Sequence, residues 1–223
     1  PGQALVWFNA RHDRVVLEAA GKVVLTAANP DLADRDDDSF PAVVNHVVYF
    51  GDGISRRTVL RGFTITGANR FQTRADAPGP IEPSRPELDP QNLLFFYCDG
   101  GGIKVFARSY PTIERVDVVG NVASPCGGGV SIQHLGFQHD EVTFRDCIFR
   151  DNGCQVTGSA IDVLPGSSAR IENCLFVGNV ANTGEDSVSP KDEPYNAEHG
   201  SGALTVFPGS KVTVVGCTFT DNW

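Results

Sequence analysis

Apolar positions along this chain alternate with polar ones in short runs, the period-two mark of strands with one buried face. The runs line up into columns. Ile113, Phe144, Ile171 and Val214 share the first, Val116, Cys147, Cys174 and Cys217 the next, and Val118, Phe149, Phe176 and Phe219 a third. Between the first two columns stand Arg115, Asp146, Asn173 and Gly216, where a bend lets both neighbours face inward; asparagine and glycine suit such a bend. No window carries a convincing amphipathic helical period. The pattern predicts short strands throughout.

Two words recur around the columns. One is Gly100-Gly101-Gly102-Ile103, repeated as Gly127-Gly128-Gly129-Val130, Gly158-Ser159-Ala160-Ile161 and Ser201-Gly202-Ala203-Leu204. The other is Val118-Val119-Gly120-Asn121, repeated as Phe149-Arg150-Asp151-Asn152, Phe176-Val177-Gly178-Asn179 and Phe219-Thr220-Asp221-Asn222, with a looser early copy in Val59–Ala68. Successive asparagines lie 31 (152−121), 27 (179−152) and 43 (222−179) residues apart. The variation falls between the words, which is how loops grow out of a fixed coil. Like residues one coil apart then stack at the strand spacing of ~4.8 Å, and glycine serves where the chain turns sharply into a strand at positive φ. The expected fold is all-β: one domain over 1–223, a parallel β-helix solenoid of about six coils beginning near Val15, with insertion loops at 71–99 and 182–200.

The GG[AG][ILV] and FxxN words, with "TVLRGFTITGA" and "PTIERVDVVGN", resemble the right-handed parallel β-helix repeat proteins. That superfamily includes pectate-lyase-like enzymes and the polymorphic outer-membrane protein adhesins. The resemblance covers roughly Val15 to the end and implies a right-handed coil; its motifs are structural, so function has to come from a site.

The net charge of −9 leaves no basic footprint, which argues against nucleic acid as a partner. No stretch approaches 18 apolar residues, so no membrane span is expected in this segment. The chain has no methionine and reads as a mature or excised piece, secreted or displayed on a cell surface, outer membrane or periplasm included. Both ends look uncapped, so further chain or a neighbouring subunit is expected to cover them. Of the six cysteines, Cys147, Cys174 and Cys217 fall in an inward column and are expected to stay reduced. Cys98, Cys126 and Cys154 fall in turns, where one disulfide at most is expected, either Cys98–Cys126 or Cys126–Cys154.

The two insertion loops leave the coil from the same point, three coils apart, and would wall a trough. Its floor would hold the outward residues Lys104, Ser131, Asp162 and Thr205, with Gln133 and His134 alongside. By analogy with β-helix polysaccharide lyases, which carry a cation-neutralised acid and a basic Lys or Arg on this face, Lys104 and Asp162 are the candidate catalytic pair; a solvated charge pair is the other reading. The Gly-His-Gly and paired-carboxylate words of β-helix polygalacturonases are absent. Ser131, Gln133, His134, Tyr97, Tyr110 and Tyr195 are candidate ligand contacts, the tyrosines as platforms for sugar rings or as packing. Asp34, Asp36 and Asp38, within "DLADRDDDSF", could hold Ca2+ or form a solvated acidic loop. Glu114, Arg145 and Glu172 read as a surface charge ladder. The readings left open are a binding module for a polysaccharide or cell-surface ligand, a polysaccharide lyase, and a structural subunit.

Overall fold

The computed structural model describes residues 14–26, 46–68, 99–123, 126–154, 156–181 and 201–223, and the backbone of 6–8. The expected insertions, with Tyr97, Cys98 and Tyr195, and the acidic run of Asp34, Asp36 and Asp38 lie outside these residues, apart from Asp99.

Among the described residues there is no helix, and every strand pairing is parallel. One sheet stacks six strands in chain order: Val6–Phe8, Val48–Phe50, Ile103–Phe106, Val130–Gln133, Ile161–Val163 and Leu204–Val206. A second begins with Val16–Thr26 on Val59–Thr66 and then divides into two rows. Thr112–Glu114, Val142–Arg145, Ser168–Glu172 and Lys211–Val215 form one row; Asp117–Val119, Ile148–Arg150, Leu175–Val177 and Thr218–Thr220 form the other. A short third sheet pairs Val122–Ala123 with Gly153–Cys154. Each turn of the chain adds one strand to the first sheet and, once the second has divided, one to each of its rows, which is a solenoid.

The division into two rows follows from the bends. Arg115, Asp146 and Asn173 adopt φ of 50°, 55° and 53°, and Gly216 65°, a left-handed conformation that L-residues other than Asn and Asp rarely take. Gly62, at φ 80°, holds the same register within Val59–Thr66. Register then places the columns as expected: Phe144 pairs with Ile113 and Ile171, and Phe176 pairs with Phe149 and Phe219. Phe149 and Phe176 stack with centroids 4.8 Å apart, Phe176 and Phe219 at 4.4 Å. Val116, Cys147 and Cys174 are buried and Cys217 partly so. On the last coil Val214, Phe219 and Trp223 are exposed.

The asparagines of the second word form a buried ladder. The side-chain Nδ2 of Asn152 donates to Val118 O and to Asn179 Oδ1, both at 2.9 Å, while its Oδ1 accepts from the Asn121 N–H at 3.1 Å. Asn121 and Asn179 repeat the arrangement toward Ile65 O and Phe149 O. Each rung satisfies polar backbone atoms at a corner where the strand ladder is interrupted, an accounting that buried peptide groups require.

Beside this ladder lies the corner from which the long segments leave. Ala68 O accepts from the Val122 N–H, Val122 pairs with Gly153, and Gly153 bridges to Val180. Segments 69–98 and 182–200 therefore depart at equivalent points three coils apart.

Candidate functional site: a polar cluster under the glycine turns

The residues immediately before the glycine word form one column: Asp99, Cys126 and Thr157. Backbone hydrogen bonds from Gly100 N to Gly127 O and from Gly127 N to Thr157 O stack them coil on coil. The following glycines take φ of +79° at Gly100, +61° at Gly127 and +67° at Gly158, which folds the chain back over the outer face of the six-stranded sheet. The approach is close. A Cβ on Gly100 would lie 3.1 Å from Ser131 Cβ, and one on Gly158 would lie 2.7 Å from Asp162 Oδ1. Only glycine fits at both the φ and the distance.

Under these turns the strands present Lys104, Ser131, Asp162 and Thr205 as one row, in register. Lys104, Ser131 and Asp162 are fully buried, and so is Asp99. Lys104 Nζ donates to Ser131 Oγ at 3.0 Å, and the Cys126 N–H donates to Asp99 Oδ1 at 3.0 Å. Cys154 Sγ donates to Thr157 O at 3.1 Å, and the hydroxyls of Thr157 and Thr205 meet at 2.5 Å. Asp99 Oδ2 and both carboxylate oxygens of Asp162 have no hydrogen-bond partner.

Burial governs the electrostatics. Loss of water pushes the Asp99 carboxyl up to about 7, against the opposing pull of Lys104 and of the Cys126 N–H. Asp162 is raised well above the ordinary carboxylate range, first by burial and then by Asp99, with Lys104 again opposing. The Cys126 and Cys154 thiols are raised by burial and by the two aspartates. Three candidate donors converge: single ligand atoms of Asp99, Cys126 and Asp162 all lie within 4.8 Å of one another.

The family described as "Right handed beta helix region" matches the chain over residues 87–219, more than half of its 223 residues. The chain belongs to the right-handed β-helix family. No curated protein and no solved structure was found to match it.

Several sequence expectations need correction in this β-helix. Alternation places Lys104, Ser131 and Asp162 on the outer face, as expected, but they do not line an open floor: all three are fully buried, and the glycine turns lie against Ser131 and Asp162. Gln133, one rung further on the same face, is 4% exposed. His134 is fully buried; its Nε2 donates to Ser109 O at 2.9 Å and its Nδ1 accepts from the Ser168 N–H at 3.1 Å. Tyr110 is buried too, its hydroxyl donating to Phe137 O at 2.8 Å, so it packs rather than offering a platform to a sugar ring. Cys126 and Cys154 are free thiols, so no bridge forms at Cys126. The Glu114–Arg145–Glu172 ladder is present, with contacts of 3.0 Å on both sides of Arg145, and Arg61 extends it. Asp99 was not among the expected site residues. Its signal is positional: it stands directly before a glycine word, as Cys126 and Thr157 do.

Proposed function

We propose that this β-helix is a secreted or surface-displayed module that binds an extracellular ligand, a polysaccharide or a cell-surface component, along the corner from which segments 69–98 and 182–200 depart. The observation that carries the reading is the spacing of their anchor points. Ala68 and Ala181 leave the coil at equivalent positions, and three steps of ~4.8 Å separate them by ~14 Å, about the length of a short oligosaccharide. The connections between, Ala123 to Cys126 and Cys154 to Thr157, are short, so the two departure points bracket coils that carry no long insertion at this corner. A net charge of −9 favours a neutral or cationic ligand over a polyanion.

The test is a panel of acidic and neutral polysaccharides, scored for retention of the protein and for the ultraviolet absorbance of unsaturated sugar ends. Retention without new absorbance is expected, and trimming 182–200 to a short turn should abolish retention while the coil stays folded. Growth of that absorbance with the parent protein would establish a lyase instead. No retention and no turnover across the panel would leave a structural subunit as the reading.

A further inference from the structure

We propose that Asp99, Cys126 and Asp162 form a binding site for a thiophilic divalent cation of the zinc class. The site lies wholly on coil residues and stands independently of the ligand reading above. The three candidate donor atoms lie within 4.8 Å of one another, on side chains held by three successive coils. A tetrahedral ion with metal–oxygen and metal–sulfur distances of ~2.1 and ~2.3 Å sets its ligands ~3.5 Å apart. Side-chain rotation of about an ångström closes that difference.

The second observation is what the carboxylates lack. Asp162 is fully buried with neither oxygen hydrogen-bonded, and Asp99, also fully buried, leaves Oδ2 without a partner. Buried polar atoms are almost always satisfied, and an unpaired buried carboxylate is among the costliest groups a fold can hold. A cation answers both orphans at once. Asp99 Oδ1 is already engaged by the Cys126 N–H, which leaves Oδ2 to turn toward an ion, as an outer hydrogen bond orients a metal ligand.

Charge and donor type narrow the ion. Two carboxylates and a thiolate carry three negative charges; a divalent cation leaves one. The charge of Lys104 acts on both carboxyls in the favourable direction. The thiolate selects against calcium and magnesium, which take six or more oxygen donors, and toward zinc-class ions.

Cobalt(II) serves as the spectroscopic probe. The full chain, stripped with a chelator and kept reduced with a phosphine, is titrated with Co2+ and then with Zn2+. One equivalent of cobalt should give visible d–d bands and a near-ultraviolet sulfur-to-cobalt charge-transfer band, and zinc should displace it and raise the Tm. Cys126→Ser should lose the charge-transfer band, and Asp162→Asn should weaken binding at least ~10-fold, since a ligand counts for no less than an outer-shell partner. Cys147→Ser, in the core column, should bind as the parent does. Circular dichroism establishes that each variant is folded, and Asp99→Asn replaces Asp162→Asn if the latter is not. No charge-transfer band in the parent protein at saturating cobalt, or an unchanged spectrum in Cys126→Ser, overturns the proposal.

Discussion

Replacing Asn152 with aspartate removes two hydrogen-bond donors from the asparagine ladder without opening a cavity, because the side chains are the same size. Asn152 is 1% exposed. Its Oδ1, which an aspartate keeps, accepts from the Asn121 backbone N–H at 3.1 Å and side-chain Nδ2 at 3.2 Å. Its Nδ2 becomes an oxygen facing two acceptors, Val118 O and Asn179 Oδ1, each at 2.9 Å. Two buried hydrogen bonds at 1–3 kcal/mol each bound the loss at about 2–6 kcal/mol. Protonation of the new carboxyl returns one donor, so about 3–4 kcal/mol is expected near neutral pH.

Asn222→Asp is the internal comparison. Its Nδ2 donates to Phe176 O and Thr220 O on the partly exposed last coil, where water can substitute, so about 1 kcal/mol is expected. At 2–4 °C per kcal/mol for a chain of this size, Asn152→Asp should lower the Tm by roughly 6–16 °C and Asn222→Asp by roughly 2–4 °C. The sign of the pH effect follows from the buried carboxyl. Its folded-state pKa is raised above that of the unfolded chain, so its stability is fully present below pH ~4 and lost as pH rises; the Tm deficit should therefore narrow in acid. Thermal melts followed by circular dichroism at pH 7.5 and 4.5 read all three. A Tm for Asn152→Asp within about 2 °C of the parent at neutral pH, or a deficit that widens in acid, would refute the ladder as a source of stability.

Phe176→Ala should cost ~3–5 kcal/mol, because the ring is fully buried and stacked between Phe149 and Phe219; an unchanged urea midpoint would refute it. His134, pushed down to about 4 by burial, is neutral in the folded state, so its contribution is present above the unfolded value of about 6.5 and is lost as pH falls toward 4. Its ring-proton resonance should stay constant from pH 8 to 5, and a titration midpoint near 6.5 would contradict its hydrogen bonds to Ser109 and Ser168.

The fold was legible because a solenoid writes the same instruction several times. The columns headed by Ile113, Val116 and Val118 name their own neighbours, and the outlying Arg115, Asp146 and Asn173 mark the bends at which φ turns positive. The asparagine word was visible as a recurrence, but its role was not, since a ladder of side chains depends on the rotamer and not on the spacing. The site was half legible. Alternation says which face Lys104, Ser131 and Asp162 occupy and nothing about what covers that face. Over Ser131 and Asp162 the cover includes glycine turns whose chain reversal, at φ near +60° to +80°, brings Asp99 and Cys126 over the strands. His134 and Tyr110 were misread for a related reason: their partners, Ser109, Ser168 and Phe137, come from adjacent coils and loops with no repeating word to mark them.

The outer surface of this coil handles charge in two opposite ways, and the contrast tells where function is to be sought. Along one flank Arg61, Glu114, Arg145 and Glu172 alternate in sign at hydrogen-bonding distance, each partly in water, an arrangement that costs little and adds little. Under the glycine turns Asp99 and Asp162 are buried with three carboxylate oxygens unpartnered, although an apolar residue would fill the space without that penalty. A site held at the expense of stability is the mark of a role other than packing. Asp162→Asn keeps the shape and spares the chain the cost of burying or protonating an acid there, so in chelator-treated buffer it should raise the Tm, while cation binding falls. A structural part for Asp162 requires the opposite sign. If the variant melts below the parent with no metal present, the carboxylate is engaged by the protein itself, and the cluster is a piece of architecture.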